Sequence, residues 1–221
     1  MKFQTDYQYT DRMTKSKYVW LKYQSILNGH VLDVGADECH LKQYLADATH
    51  YTGIGLGGTL DIQVNLEKEP IPFADRSFDC VLCLDVLEHL DNIHDVFDEL
   101  CRVASRYMLV SLPNPYATFY NMLQNGYYRE AQPMKFYGLP KEKPEDRHKW
   151  FFSPEEAETF IQYRAGLPQN RMNVVQIDSE GGRDVRGLSK LARCYLFRSD
   201  IDWHKLHTGT IWAVLEKCCD G

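Results

Sequence analysis

The segment Asp33-Val34-Gly35-Ala36-Asp37-Glu38-Cys39 follows a short apolar run, His30-Val31-Leu32, and is the first place where residue types and spacing could do chemistry. A glycine directly after a buried strand lets backbone approach a ligand closely. A ligand with a pyrophosphate wants bare N–H groups at a helix N-terminus there. Asp37 and Glu38 stand where that phosphate would go. Two carboxylates repel a diphosphate, so NAD, FAD and ATP are disfavoured, whereas a phosphate-free, positively charged ligand suits the acidic turn. The same residues also read as a plain turn closed by Gly35, with acids favouring the helix dipole.

A second group is Leu84-Asp85-Val86-Leu87-Glu88-His89, and a third is His148-Lys149-Trp150-Phe151-Phe152. Histidine titrates near neutrality, which makes His89 and His148 candidates for a general base or a clamp on a substrate. Each also reads as an ordinary hydrogen-bonded surface histidine. Residues 113–152 hold Asn114, Tyr116, Tyr120, Tyr127, Tyr128, Tyr137 and Trp150, mostly amphipathic rings with polar tips. That composition suits an aromatic, heterocyclic or sugar-like substrate under a lid, with Asn114, Tyr116 and Trp150 as contact candidates. The competing reading is an aromatic mini-core that packs an insertion onto the fold. Cys80 and Cys83 form a CxxC, but inside an apolar run, where buried cysteine is mostly packing. No metal-ligating set is assigned from spacing.

These residues need elements to hold them. Residues 1–11 read as a polar, aromatic arm or lid piece, and residues 12–28 as a helix stopped by Asn28-Gly29. Apolar strand-like runs occur at 30–35, 51–56, 61–66, 78–84, 107–112, 172–178 and 209–217. Helical spacing places a helix over 38–47, with Leu41, Tyr44 and Leu45 on one face. A clearer helix carries Ile93, Val96, Phe97, Leu100, Val103 and Ala104, with Asp91 or Asn92 as N-cap. A short helix fits 116–125, and another fits 184–198. Ser153-Pro154-Glu155-Glu156 is a capping box, and that helix stops near Gly166. Strand and helix alternate, which implies right-handed crossovers and a parallel sheet. In such a sheet, ligands sit at the carboxyl ends of the strands, near the point where strand order reverses.

The chain has 221 residues, 44% hydrophobic and 25% charged, with a net charge of −6. That suits one domain spanning 1–221, with a core over about 12–217 and 113–152 as a substrate-covering insertion. No basic face or run appears, which argues against a nucleic-acid partner. No apolar run reaches the ~20 residues needed to cross a bilayer, so no membrane partner is expected. The seven cysteines are irregularly spaced, which fits a reducing cytoplasm better than a disulfide framework.

The stretch from Val31 to Pro115, with Pro72-Phe73-x-Asp75-x-Ser77-Phe78-Asp79 and Asp85-x-Leu87-Glu88-His89-Leu90, resembles class I S-adenosylmethionine-dependent methyltransferases of the small-molecule type. The resemblance implies an α/β Rossmann-like sheet of seven strands, mostly parallel with an antiparallel last strand, and helices on both faces. It implies S-adenosyl-L-methionine as cofactor and a small-molecule acceptor, with a homodimer left open. Asp33, Gly35 and Ala36 then match the turn lining the methionine end of the donor, with Gly55 and Leu56 ending the second strand. Asn65 and Leu66 match the loop bordering the adenine. Leu84, Asp85 and Val86 lie next to the sulfonium, and Glu88 and His89 complete that motif near the transfer site; with His148 from the residue reading, Asp85 and His89 are the catalytic candidates. Two departures stand out. Asp37 and Cys39 replace glycines of the family's first turn, and Gly55 replaces an acid that binds the ribose hydroxyls. Asp61 is the nearest substitute in sequence. These departures keep open a catalytically degenerate relative that acts as a binding or scaffold module. Asn114-Pro115 resembles a motif of nucleic-acid amino-methyltransferases, but it follows the wrong strand in an acidic chain.

Overall fold

In the computed structural model, residues 2–125, 142, 147–180 and 203–218 are described. Their strands are β1 (His30–Val34), β2 (His50–Gly55), β3 (Ile62–Gln63), β4 (Phe78–Leu84), β5 (Ala104–Leu112), β6 (Met172–Ser179) and β7 (Ile211–Lys217). They form one seven-stranded sheet in the order β3-β2-β1-β4-β5-β7-β6. β1 pairs with β2 and β4 in parallel, and β7 runs antiparallel between β5 and β6. The alternating elements predict a parallel sheet, and the antiparallel β7 is what the family resemblance adds; the seven-stranded sheet observed has both.

The helices are α1 (Arg12–Tyr23), α2 (Ile93–Val103), α3 (Pro115–Asn125), α4 (Pro154–Ala165) and α5 (Trp203–His207). Strand side chains alternate between two buried clusters, as a period of two requires. Leu32, Val34, Val81, Cys83, Met108 and Val110 share one cluster with α2 and α4. Val31, Cys80, Leu82, Leu109, Trp212 and Val214 share the other with α1. Cys80 and Cys83 therefore belong to opposite faces of β4 and are both fully buried, so the CxxC is core. Phe97 of α2 has no exposed surface; truncating such a ring to Ala costs about 3–5 kcal/mol.

Several elements depart from the expected outline. The first helix ends at Tyr23, and the chain reaches β1 through turns that close at Gly29, with φ +69. A side chain at Gly29 would strike Asp79, whose carboxylate accepts the His30 N–H at 2.8 Å. The helix expected over 38–47 is only a 3-10 turn, His40–Tyr44. Asp37 and Cys39 both take left-handed backbone with φ near 51, which breaks an α-helical start. The third strand shrinks to Ile62–Gln63, because the chain turns at Asn65, whose carbonyl accepts the N–H of Lys68 and of Glu69.

Residues 2–11 are not a free arm. Phe3 is buried, and its backbone exchanges two hydrogen bonds with the Gln176 side chain, at 2.9 and 2.8 Å. The Tyr9 ring meets Tyr18 edge-on at 5.1 Å. Asn92 precedes α2 but does not cap it; its amide donates to the Leu66 carbonyl at 2.8 Å. The Ser153 capping box forms as read, with Pro154 starting α4 and Gly166 ending it. The helix expected over 184–198, Tyr127, Tyr128, Tyr137, Cys194 and Cys219 lie outside the described residues.

Candidate functional site

The strand order reverses between β1 and β4, and an open cavity of about 540 Å³ lies at their carboxyl ends. That is where an open α/β sheet binds its ligands, and the volume is ordinary for a small-molecule site. After β1 the cavity is lined by Asp33, Gly35, Ala36 and Asp37; after β2, by Gly55, Leu56 and Gly57. After β4 it is lined by Leu84, Asp85, Glu88 and His89, with Pro113 and His148 beyond. From α1 come Arg12, Lys15, Ser16 and Val19.

Asp33 is buried on β1, and the Tyr51 hydroxyl on β2 donates to its Oδ2 at 2.7 Å. Burial pushes its carboxyl up to about 6, opposed by the Tyr51 hydrogen bond and by the charge of Lys15. Burial also raises the Tyr51 phenol, and the Asp33 carboxylate adds to the rise. Gly35 needs its left-handed φ of +79, and a Cβ there would lie 2.2 Å from Val86 Cγ2. Asp85 takes a left-handed φ of 53 at the end of β4. Its Oδ1 accepts the Ser111 hydroxyl at 2.6 Å, and the other carboxylate oxygen is ion-paired with Lys15. The Lys15 ammonium also lies 5.0 Å from the Trp212 ring, a cation–π contact.

The charges around the turn after β1 differ from the sequence expectation. Asp37 is paired with Arg12, and Glu38 turns outward to accept the Thr59 hydroxyl at 2.7 Å. The acids are therefore largely engaged. A diphosphate cradle is missing here for a second reason: the 3-10 turn offers no α-helical N-terminus aimed at the cavity.

Residues 32–107 match the family described as "Methyltransferase domain". Over that segment, about a third of its length, the chain is similar to a methyltransferase domain. Among solved structures, the chain is similar to a SAM-dependent methyltransferase from Archaeoglobus fulgidus, with TM-score 0.57, 14% identity, and coverage of 93% of this chain and 95% of that one. It is also similar to the [4+2]-cyclase SpnF, with TM-score 0.58, 11% identity, and coverage of 99% and 86%. A third is magnesium protoporphyrin IX methyltransferase from Synechocystis PCC 6803 with bound SAH, with TM-score 0.52, 14% identity, and coverage of 93% and 83%. No curated protein matches the sequence. At these identities the structural likeness establishes the class I fold, and the cyclase illustrates that one fold hosts more than one chemistry. The match over residues 32–107 agrees with the methyltransferase part of the sequence resemblance, and the solved structures share the fold it implies.

Of the expected site residues, Asp33, Gly35, Ala36, Gly55, Leu56, Leu84, Asp85, His89 and His148 all face one cavity. Other expected site residues lie outside its lining. Val86 packs against the Cα of Gly35 and shapes the turn from behind. Asn65 organises its own turn, accepting the Glu67 N–H at 3.1 Å, and Leu66 is buried in the core. Asp61, the nearest acid to Gly55, is taken by the Gly53 N–H at 2.8 Å and does not replace the missing carboxylate. Asn114 is buried and ties the end of β5 to α5, donating to the carbonyls of Lys205 and Thr208 at 2.6 and 2.8 Å. The Trp150 indole donates to the Leu90 carbonyl at 2.8 Å. Tyr116 stacks on Phe151 with centroids 5.0 Å apart. These aromatic contacts form a packed rim in the described part of 113–152.

Sequence reasoning missed Arg12 and Lys15. The available signal was their position in the first turn of a helix preceding β1, which Asp11 caps. It also missed that Glu88 is fully buried and that its carboxylate and the imidazoles of His89 and His148 lie within 4.8 Å of one another. Among the described residues, no helix is long and apolar enough to cross a membrane.

Proposed function

We propose that this domain transfers a methyl group from S-adenosylmethionine to a small-molecule acceptor. The observation that carries the reading is the cavity at the β1/β4 reversal, which has carboxylates, room for a nucleoside and no diphosphate cradle. The donor has an ammonium, a sulfonium and a carboxylate, and no phosphate. Asp33 and Asp85 suit the first two charges. Arg12, exposed at the mouth, suits the third. The backbone at Gly35 and Gly55 leaves the cavity open for the adenosyl group.

The donor is already activated, so the domain's work is alignment and water exclusion. A bound donor would supply the methyl group, and Glu88, His89 and His148, which wall one side of the cavity, would orient the acceptor. A base is needed where the acceptor is protonated at neutral pH, and either histidine suits that role. At Gly55 the cavity stays open, so the missing acid weakens donor affinity without blocking access. A cytoplasmic location is part of this proposal. The reading is tested by isothermal titration of the purified chain with S-adenosylhomocysteine. One-to-one binding that is lost in Asp33→Ala supports it, and no binding at millimolar ligand overturns it.

A further inference from the structure

At the acceptor end of the cavity, Glu88, His89 and His148 place one carboxylate oxygen and two imidazole nitrogens within 4.8 Å of one another. Glu88 and His89 are neighbours in the 3-10 turn after β4, Leu87–His89. His89 Nε2 lies 3.5 Å from Glu88 Oε1. His148 arrives from beyond α3 and is held in place by its neighbour. The Lys149 N–H donates to the Glu88 carbonyl at 2.7 Å, and its ammonium pairs with Glu67 and with Asp91. The two imidazoles meet nearly perpendicular, with centroids 4.5 Å apart.

Two imidazoles and one carboxylate are the donor set of many catalytic zinc sites and of facial-triad sites. Bonds of about 2.0–2.2 Å to a tetrahedral centre put ligand atoms roughly 3.4 Å apart. Small side-chain rotations therefore close the observed cluster onto an ion. Glu88 comes from inside the fold, with its side chain 1% exposed, whereas His89 and His148 border the open cavity. An ion held here would be anchored from within the fold and keep coordination positions facing the cavity, the arrangement that separates a catalytic site from a structural one.

We propose that Glu88, His89 and His148 bind one divalent transition-metal ion, and that the ion takes an oxygen of the methyl acceptor. The binding stands by itself; its role rests on the methyl-transfer reading. A metal-bound hydroxyl is far more acidic than a free one, as bound water falls from 15.7 to about 7. With both imidazoles on the ion neither serves as base, and the acceptor hydroxyl gives its proton to water at the cavity mouth. The oxygen lone pair then forms the new C–O bond while the C–S bond breaks, and that bonding pair stays on sulfur as a neutral thioether. The acceptor class is thus a hydroxylated small molecule, and a phenol or a vicinal diol can chelate the ion.

The test uses the full chain, stripped with a chelator and titrated with Co²⁺, followed by visible absorption and calorimetry. The expected result is one Co²⁺ per chain with ligand-field bands, and affinity weakened about 100-fold in His148→Ala. Glu88→Gln should lose the site too, but it alters a buried group. His148→Ala lies on a half-exposed segment and keeps the test decisive if the first variant does not fold. Failure of the wild-type chain to bind Co²⁺ at millimolar concentration would overturn the inference. So would binding undiminished in His148→Ala, which would place the ion elsewhere, for instance on the stacked His30 and His50 rings, 4.9 Å apart. S-adenosylhomocysteine is titrated into the same sample. Donor binding without Co²⁺ binding sinks this inference alone, and Co²⁺ binding without donor binding upholds the site while ending the methyl-transfer reading.

Discussion

The Tyr51 hydroxyl reaches across from β2 to donate to Asp33 Oδ2 at 2.7 Å, so a buried acid on the cavity wall is held by one phenol. Burial raises the Asp33 carboxyl to about 6 from 3.8. A carboxyl raised on folding binds its proton more tightly in the folded chain. Its stabilising contribution is therefore complete below the unfolded value of 3.8 and is lost as pH rises through about 6. A cationic donor wants the opposite, ionised form. Donor affinity should rise through that pH, with proton release on binding below it. Calorimetry in buffers of different ionisation enthalpy measures both. Tyr51→Phe removes a hydrogen bond to the carboxylate and should move the midpoint upward. A midpoint unmoved by that substitution would detach Tyr51 from the site.

Gly35→Ala tests the turn after β1. The new Cβ would sit 2.2 Å from Val86 Cγ2, at φ +79. Overpacking and a left-handed non-glycine residue together should cost about 2–4 kcal/mol in urea unfolding. Trimming the obstacle in Gly35→Ala/Val86→Ala should recover part of the loss relative to the sum of the single variants. Strict additivity would show that the two side chains do not meet.

Gly55 marks the departure from the family pattern with the sharpest consequence. A Cβ built there meets Gly35 Cα at 3.4 Å and Leu60 Cδ1 at 3.5 Å, which is ordinary contact or very close to it. Gly55→Asp should therefore fold. It would place a carboxylate where the resemblance expects one to bind ribose hydroxyls. Hydrogen bonds to a charged group contribute about 1.5–3 kcal/mol, so donor affinity should improve roughly tenfold or more. An unchanged or weaker affinity in a folded variant would mean that the ribose lies elsewhere.

Lys15 joins α1 to the sheet through Asp85, Ser111 and the Trp212 ring. Lys15→Met keeps the stem and removes the charge, leaving Asp85 with the Ser111 hydroxyl. Asp85 is about one-third exposed, so water compensates in part, and the loss should be only about 1–2 kcal/mol in chemical denaturation. A loss above about 4 kcal/mol would assign Lys15 a core role that this geometry does not give it.

Much of the fold was legible because periodicity reports burial. α2 shows its apolar stripe in sequence, and the strands flanking it are short buried runs. The Ser153 box was legible because capping is local chemistry. What was not legible depends on contacts between distant segments. The 38–47 helix fails because Asp37 and Cys39 take left-handed backbone, which no pattern announces. Asn114 looked like a contact for a ligand, yet both its amide bonds go to carbonyls around α5. In the site, Asp33, Gly35 and Asp85 were readable from motif position, whereas the approach of His148 to Glu88 depends on the path of the chain after α3.

The most direct measurement is a calorimetric titration of the chain with S-adenosylhomocysteine, run beside NAD and repeated on Asp33→Ala and Gly35→Ala. One equivalent of the adenosyl ligand should bind the native chain, with both variants folded and silent and NAD inert. An empty cavity at millimolar ligand, equal binding by both variants, or preference for the dinucleotide would contradict a phosphate-free cationic donor at the end of β1.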